Sequence, residues 1–350
     1  MDAQTQSPQS EAVVFAKTRS GIDLPVIDFT NPRFAVPEDP NTVRALYAAF
    51  VESERKRRLV PKFIMRMMLR SAAKKSLLVR SLFQSKAGFL DGISTYMMKL
   101  GTGNLVPPFN SEIDRKFAAS PHVPLLRLRM QQTARLLCDG LIADLLDAQN
   151  APLDLINIGG GPALDSINAL VHLNRTRPEL LKRPIAIHVL DSDEEGPFFG
   201  ANALDALKAT GRPLHGLDIV MDHRCYDWNA PALLEQLVRE LAAKNSIIAA
   251  SSEGALFEYG SDAAIVANLK ALHADGGGAK QVAGSVTRGD ETRKRMIAET
   301  GFTLIPRGLE GFAPLAAQAG FSIAKVENAM LSDQVLLSAV AVSPAPFLPS

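Results

Sequence analysis

The sequence predicts an α/β protein with a doubly wound, mostly parallel sheet. Three observations predict this fold class. Residues 153–173 (LDLINIGGGPALDSINALVHL) show an apolar run, three glycines and then apolar residues at helical spacing, which is typical of strand, turn and helix. From 184 to 287 strand-like and helix-like segments alternate, as crossover connections between parallel strands require. Two strand-like runs, 322–326 and 334–342, follow without a helix between them, so they pair antiparallel if they are neighbours.

Composition excludes several functional classes. The chain has 350 residues, of which 47% are hydrophobic and 21% are charged, as in ordinary globular domains. A net charge of +1 supplies no field that favours nucleic acid as a partner. Two cysteines provide neither a disulfide framework nor a metal cluster, so a reducing, cytoplasmic location is expected. The first residues lack the basic and then apolar build of a signal peptide, so none is expected. Apolar runs stay well short of the ~20 residues that span a bilayer, and the oligomeric state stays open.

The chain divides into four predicted regions. Residues 1–40 are polar and rich in proline, and we expect a mostly flexible tail that docks at one point. An all-helical subdomain is predicted over 41–149, the sheet domain over 150–343, and a short tail over 344–350. Asp39 and Pro40 suit the start of the first helix. Within the helical subdomain, the predicted helices are 41–59, 62–83, 86–100 and 124–148.

A basic stretch within the helical subdomain has three interpretations. Residues 52–80 carry a local charge of +8, and the pattern is that of an amphipathic helix. It could be a core helix with a solvated cationic face, a surface that captures an acidic substrate, or a contact with an anionic membrane or partner. Cations at four-residue spacing define the polar face (Lys62, Arg66, Arg70 and Lys74), and apolar residues fill the other (Ile64, Met65, Met68, Leu69 and Ala72).

The glycine turn does not have the dinucleotide fingerprint. That pattern needs glycine at the sixth position, where this chain has Leu164. The turn instead resembles the first motif of class I S-adenosylmethionine-dependent methyltransferases, with Gly159, Gly161 and Ala163 at the matching positions. Where that family carries Asp or Glu before the glycines, this chain has Asn157. The resemblance implies that S-adenosylmethionine is the cofactor, and that it is bound by Asn157 and by the turn, including Gly160.

The ends of the next two predicted strands extend the resemblance. Ligands of open α/β sheets lie beyond the carboxyl ends of the strands. Asp191 ends the second strand and matches the family's acidic residue that holds the ribose hydroxyls, with Asp193 as a rival for that role. A carboxylate suits a vicinal diol because it accepts two hydrogen bonds. After the third strand, Asp227 and Trp228 are similar to the position that contacts adenine.

Acceptor and catalytic candidates come from the remaining strand ends and from the helical subdomain. Glu253 follows the fourth strand and His223 lies near the end of the third, where either could take a proton. The histidines show no metal-ligand spacing, so no metal is expected. For the substrate the candidates are Glu258, Tyr259, Tyr96 and Arg129.

The antiparallel final pair resembles the seven-stranded methyltransferase sheet. The resemblance implies methyl transfer to a small-molecule acceptor, with oxygen favoured as the accepting atom and the helical subdomain as a lid that forms the acceptor pocket. Methyl transfer from a sulfonium is a displacement that requires alignment and exclusion of water more than acid–base groups. Two alternatives stay open: a non-catalytic cofactor-binding or membrane-docking protein, and an NAD(P)-dependent oxidoreductase.

Overall fold

The computed structural model describes residues 12–84, 92–274, 277–300 and 302–340, without the side chains of Lys62, Arg66, 81–84, 299 and 300. Its first element is a hairpin of β1 (Phe15–Lys17) and β2 (Asp23–Pro25). Residues 12–40 are packed on the rest of the protein, so the prediction of a mostly flexible tail is wrong for them. Leu24, Val26, Ile27 and Phe34 lie in the main hydrophobic core.

The Asn168 side chain anchors the segment that follows the hairpin. Its Oδ1 accepts from the Phe29 N–H at 2.8 Å, and its Nδ2 donates to the Ile27 carbonyl at 2.9 Å. These bonds satisfy backbone groups that would otherwise be buried without partners. Residues 1–11, the rest of the predicted tail, lie outside the described residues.

Six helices precede the main sheet: α1 (Pro40–Arg58), α2 (Lys62–Ala73), α3 (Leu77–Gln84), α4 (Gly92–Leu100), α5 (Glu112–Ala118) and α6 (His122–Asp147). Asp39 caps α1 as predicted, accepting from the Asn41 and Thr42 N–H groups. The predicted helix 62–83 is two helices, because Ser76 Oγ accepts from the Val79 N–H and begins α3. The sequence did not predict α5, and the start of the predicted helix 86–100 lies outside the described residues.

Helix α6 belongs to the sheet layer as much as to the helical subdomain. Leu137, Leu141 and Leu145 share one core with Leu153 and Leu155 of the first strand of the main sheet. Because α6 is buried on several sides along 26 residues, the helices form one packed unit with the sheet and α6 lies on its face.

The main sheet alternates with the remaining helices. Its strands are β3 (Leu153–Ile158), β4 (Ile185–Asp191), β5 (Ile219–Cys225), β6 (Ile247–Ser252), β7 (Gln281–Thr287), β8 (Phe321–Glu327) and β9 (Ser332–Ala339). The helices are α7 (Leu164–Thr176), α8 (Glu195–Lys208), α9 (Ala232–Ala243), α10 (Leu256–Tyr259), α11 (Asp262–His273), α12 (Glu291–Thr300) and α13 (Gly308–Gln318). The alternation predicted over 184–287 is present, and β8 and β9 lie within a few residues of the predicted runs 322–326 and 334–342. Helices α10 and α12 were not predicted.

The strand order is β5-β4-β3-β6-β7-β9-β8. Strands β3 to β7 pair in parallel, and β9 inserts antiparallel between β7 and β8. The prediction of a mostly parallel sheet with an antiparallel final pair is therefore confirmed. Since β3 and β6 are central neighbours and the order reverses between them, the switch point lies at β3.

Both faces of the sheet are covered. Leu153 and Leu155 of β3 point into one hydrophobic core, and Ile156 and Ile158 point into the other. A continuous apolar strand of this kind is what a parallel sheet buried on both faces requires. No helix in the described ranges combines the length and apolarity that a bilayer crossing requires.

A row of three charged side chains crosses three neighbouring strands. His188 on β4 lies with Nε2 2.8 Å from Asp154 Oδ1 on β3 and with Nδ1 2.5 Å from Asp222 Oδ1 on β5. Burial would lower the pKa of His188, but the two aspartates outweigh burial and raise it to about 9. His188 is therefore a charged bridge within the sheet at neutral pH.

Candidate functional site

The glycine turn lies at the carboxyl edge of the sheet, directly after β3. Gly159 and Gly161 have φ values of +67° and +56°, a left-handed conformation that glycine adopts without steric cost. Ala163 adopts it too, with φ of +53°, and α7 then begins at Leu164. Pro162 therefore belongs to the turn and not to α7.

A buried polar cluster lies beneath the turn. A Cβ on Gly160 would lie 2.2 Å from Asn157 Oδ1, so the turn folds directly onto the Asn157 side chain. Asn157 Nδ2 donates to Asp165 Oδ1 at 2.8 Å and to Ser251 Oγ at 3.0 Å. Ser166 Oγ lies 3.0 Å from Ser251 Oγ. The cluster joins β3, α7 and β6 under the turn.

Asp165 is a functional candidate that sequence reasoning missed. Burial raises its pKa to about 6, so this carboxyl is poised near neutrality. Asn157 Oδ1 and Asp165 Oδ2 are buried acceptors to which no described residue donates a hydrogen bond. Asp165 lies in the first turn of α7, where acidic residues are common, so the sequence did not set it apart. A carboxyl group from eight residues later in the chain thus lies beside the Asn157 amide.

Asp191 at the end of β4 and Asp193 just after it have different structural roles. Asp191 Oδ2 accepts from the Gly161 N–H at 2.8 Å, and its Oδ1 accepts from the Asp193 N–H at 2.8 Å. Burial raises the pKa of the Asp191 carboxyl above its ordinary value. Asp193 Oδ2 accepts from the Gly92 and Gly196 N–H groups, both at 3.1 Å. Asp191 therefore fixes the glycine turn, whereas Asp193 joins the first residues of α4 and α8.

Three glycines form the contact between the helical subdomain and the turn. A Cβ on Gly161 would lie 3.0 Å from Gly92 Cα, and one on Gly196 would lie 2.8 Å from Gly161 Cα. Since real Cβ atoms do not approach that closely, the three backbones touch only because side chains are absent. Helix α4 therefore starts directly on the glycine turn.

The predicted adenine-contacting pair separates into two environments. A Cβ on Gly159 would lie 3.0 Å from the Trp228 ring and 2.8 Å from Ala255 Cβ, so the indole lies against the turn. Asp227 is exposed, and its Oδ1 accepts from the Asn229 N–H at 2.9 Å and from Asn229 Nδ2 at 2.8 Å. Trp228 thus lies at the site, while Asp227 closes a local turn.

Two other predicted site residues bond to the backbone. His223 lies within β5, and its Nε2 is 2.9 Å from the Asp191 carbonyl oxygen. Tyr96 is buried, its hydroxyl donating to the Pro25 carbonyl and accepting from the Ile27 N–H at 3.0 Å. Tyr96 therefore holds the N-terminal segment on α4, and its predicted contact with substrate stays a prediction.

A buried ionic network lies at the carboxyl end of β6. Arg129 Nε donates to Glu253 Oε1, and Arg129 Nη1 lies 3.2 Å from both Glu258 oxygens. Lys99 Nζ lies 2.5 Å from Glu253 Oε2. All four residues are at most 7% exposed. The network joins α4 and α6 to the sheet edge and to α10. Lys99 was not among the residues that the sequence analysis singled out.

The network sets the chemistry of these groups. Burial alone would raise the pKa of Glu253, but Arg129 and Lys99 outweigh it and hold that pKa below its ordinary value. A carboxylate in that state is a weak proton acceptor. Burial raises the pKa of Tyr259 to about 12, so its hydroxyl is protonated at neutral pH. Glu253, Glu258, Arg129 and Tyr259 thus form one electrostatic cluster.

The site therefore combines the glycine turn, the switch point of the sheet at β3, and the helices α4 and α6, which lie over the carboxyl edge of the sheet. No group of three or more His, Cys, Asp or Glu in the described ranges could hold a metal ion. The predicted residues that gather at the carboxyl edge around β3 are Asn157, Gly159, Gly160, Gly161, Asp191 and Trp228.

Comparison with known proteins finds similarity in structure. No protein-family model matches the chain, and no curated protein sequence matches it. The fold is similar to the crystal structure of a possible exported protein from Bordetella parapertussis, with a TM-score of 0.52, 16% identity, and coverage of 87% of this chain and 100% of that chain.

Two further solved structures are similar at lower scores. Magnesium protoporphyrin IX methyltransferase from Synechocystis PCC 6803, with bound SAH, has a TM-score of 0.44 and 14% identity over 75% of this chain and 99% of that chain. LepI in complex with SAH and a substrate analogue has a TM-score of 0.44 and 12% identity over 85% of this chain and 94% of that chain.

The sheet itself defines the fold class. Five parallel strands with the switch point at β3, extended by an antiparallel β9 that inserts before β8, form the seven-stranded Rossmann-like sheet of class I S-adenosylmethionine-dependent methyltransferases. The chain has this fold, as the sequence predicted.

Proposed function

We propose that the protein binds S-adenosylmethionine and transfers its methyl group to a small-molecule acceptor, with oxygen favoured as the accepting atom. One observation carries the proposal: at the switch point of this sheet, a left-handed glycine turn is bonded through the Gly161 N–H to the carboxylate of Asp191. Backbone and acid are thereby held side by side where such sheets bind ligands.

The residues at the turn suit the chemistry of this cofactor. No described residue donates a hydrogen bond to Asn157 Oδ1 or Asp165 Oδ2, and free acceptors suit the end of the cofactor that carries an ammonium group. Asp191 has further acceptor capacity for ribose hydroxyls, since each carboxylate oxygen accepts more than one hydrogen bond. Trp228 offers an aromatic face beside Gly159. When bound, the cofactor supplies an electrophilic methyl group on a sulfonium.

The remaining residues align the reactants and exclude water. Helices α4 and α6 are fixed over the sheet edge by Lys99 and Arg129, and we propose that they form the acceptor pocket. Because Arg129 and Lys99 keep Glu253 ionised, we propose that Glu253 holds these helices in place and does not accept the proton. His223 remains the proposed proton acceptor, and Glu258 and Tyr259 remain proposed walls of the acceptor pocket.

We also propose a reducing, cytoplasmic location. Cys138 is buried and Cys225 is exposed, and both are free thiols. An exposed free thiol persists where the compartment is reducing. The measurement is thiol titration of protein taken from the native host under alkylating conditions, and a blocked Cys225 would contradict the proposal.

Calorimetry tests the proposed function. We expect the wild-type protein to bind S-adenosylmethionine and its demethylated product, and NAD to give no heat. Asp191→Asn should weaken binding at least tenfold, because a charge-assisted acceptor is lost. Asp205→Asn is the matched control, since Asp205 is an exposed carboxylate on α8 and should leave affinity unchanged.

The outcomes separate the alternatives. Binding of NAD without the sulfonium cofactor would establish the oxidoreductase alternative. Binding of the sulfonium cofactor without methyl transfer to any phenol, alcohol or amine in a panel would favour the non-catalytic alternative. If Asp193→Asn weakens binding and Asp191→Asn does not, the assignment of the ribose contact is wrong.

A further inference from the structure

The end of α1 and the start of α2 form an exposed apolar surface. Of the ten large hydrophobic side chains exposed in the described ranges, four lie between residues 59 and 68. Leu59 is 80% exposed, Phe63 71%, Met67 64% and Met68 57%. We call these four residues the 59–68 patch. Single exposed apolar residues are ordinary, but four within ten residues of the chain mark a surface that contacts something else.

Cationic side chains continue the patch along the same helix. Phe63, Met67, Arg70 and Lys74 follow each other at spacings of four, three and four, which places them on one stripe of α2. Arg70 and Lys74 are exposed. The expectation that Met68 fills a buried side opposite the cations is wrong, because it is exposed. The side chains of Lys62 and Arg66, named with this basic face, lie outside the described residues.

Further cations surround the patch. Arg58 lies beside Leu59 at the end of α1, and Lys75 follows α2; both are exposed. The stretch from 52 to 80 has a local charge of +8. An occupant of this surface must therefore present apolar material and negative charge together.

We propose that the 59–68 patch docks the protein on an anionic lipid bilayer surface. A helix with aromatic and aliphatic residues beside cations lies in the interfacial plane, its apolar side chains inserted among the lipids and its cations at the phosphates. At 12 residues, α2 would lie along ~18 Å of that surface.

Charge selects this occupant over a second copy of the chain. Two copies packed through the 59–68 patch would bring two stretches of +8 together, and like charges in contact cost binding energy. Anionic headgroups instead neutralise these cations, because a negatively charged membrane surface attracts Lys and Arg side chains that lie near it. An acidic protein partner would satisfy the cations, but it must also cover the four apolar side chains.

Vesicle co-sedimentation of the full chain tests the proposal. We expect the protein to sediment with vesicles of phosphatidylcholine and phosphatidylglycerol, and not with phosphatidylcholine alone. Raising the salt shortens the screening length from about 30 Å at 0.01 M to about 8 Å at 0.15 M, and binding should fall at least tenfold.

Paired variants separate the apolar and ionic contributions. Phe63→Ser with Met67→Ser should weaken binding at least tenfold at both salt concentrations. Val220→Ser is the apolar control, since Val220 is 60% exposed on the edge strand β5 and should bind like the wild type. Arg70→Gln with Lys74→Gln should weaken binding mainly at low salt.

Two results would overturn the proposal. One is a wild type that stays in the supernatant with anionic vesicles at low salt. The other is an unchanged affinity in the Phe63→Ser, Met67→Ser variant, which would reduce the interaction to charge that an acidic protein could equally supply. If light scattering shows a dimer that only this variant dissociates, and vesicles do not bind, the occupant is a second copy. Circular dichroism of each variant is the check that it is folded.

Discussion

Replacement of Arg129 by methionine tests the buried ionic network most directly. Methionine keeps much of the volume but removes the guanidinium that bonds Glu253 and both oxygens of Glu258. Lys99 still pairs with Glu253, whereas Glu258, 1% exposed, loses its ion pair. Removing one partner of a buried pair costs about 3–5 kcal/mol.

The expected loss is measurable by chemical and thermal unfolding. A cost of about 4 kcal/mol lowers the folding equilibrium constant roughly 10³-fold, and for a chain of this length it lowers Tm by about 5 °C. Urea titration followed by circular dichroism gives the first quantity and calorimetry the second. Combining Arg129→Met with Glu258→Leu should recover at least half of the loss, because no carboxylate is then left unpaired.

A matched control lies two residues away on the same helix. Arg127 is half-buried in α6, and no described residue accepts a hydrogen bond from its Nε. Arg127→Met should therefore cost under about 1 kcal/mol, as for a side chain without strong partners. Equal losses at the two arginines, or a double variant no more stable than Arg129→Met, would refute the account of the network.

Three other predictions follow from single contacts. With its folded pKa raised from 6.5 to about 9, His188 stabilises the protein fully below pH 6.5 and loses that contribution as the pH rises through 9. The free energies of unfolding of wild type and His188→Gln, measured by urea titration, should differ by about 1–2 kcal/mol at pH 6 and converge above pH 9, after allowance for screening at the half-exposed Asp222. Gly160→Ala should destabilise the protein by about 1–3 kcal/mol, because its Cβ would lie 2.2 Å from Asn157 Oδ1. Gly211→Ala is the control, since that site has open space but a positive φ and should show only backbone strain. Equal losses of stability in the two variants would contradict the steric reason. Asn157→Asp places a second carboxyl group 2.8 Å from Asp165, so the free energy of unfolding should fall at neutral pH and recover on acidification. A loss of stability that does not change with pH would show that the cost is not electrostatic.

The sequence predicted what depends on local pattern. The turn at Gly159 follows from consecutive glycines between a strand-like and a helix-like run, and the final antiparallel pair follows from two strand-like runs with no helix between them. Helix α12 escaped prediction because charged residues dominate Glu291–Thr300, which hides the apolar spacing. The packing of residues 12–40 also escaped, because it depends on contacts with α4 and α7 that are distant along the chain.

The candidate site was predictable at the turn and not at the network. Asn157 and Asp191 flank glycines or end strands, so their positions follow from the order of elements. The partners of Glu253 lie 124 and 154 residues away in the sequence, and composition cannot pair charges over such separations. The order of elements therefore placed Glu253 after the fourth strand, but it did not reveal that Arg129 and Lys99 already pair with its charge.

The meeting of Gly92 with Gly161 has a mechanical consequence. Main-chain atoms alone form this junction, so no change of a side-chain rotamer can widen it, and a wider gap requires α4 to move as a whole. The same helix carries Tyr96, which bonds to the N-terminal segment, and Lys99, which pairs with Glu253 at the edge of the sheet. Any movement of α4 would therefore disturb both the Tyr96 bond to Pro25 and the Lys99 pair with Glu253, so these two contacts together limit it.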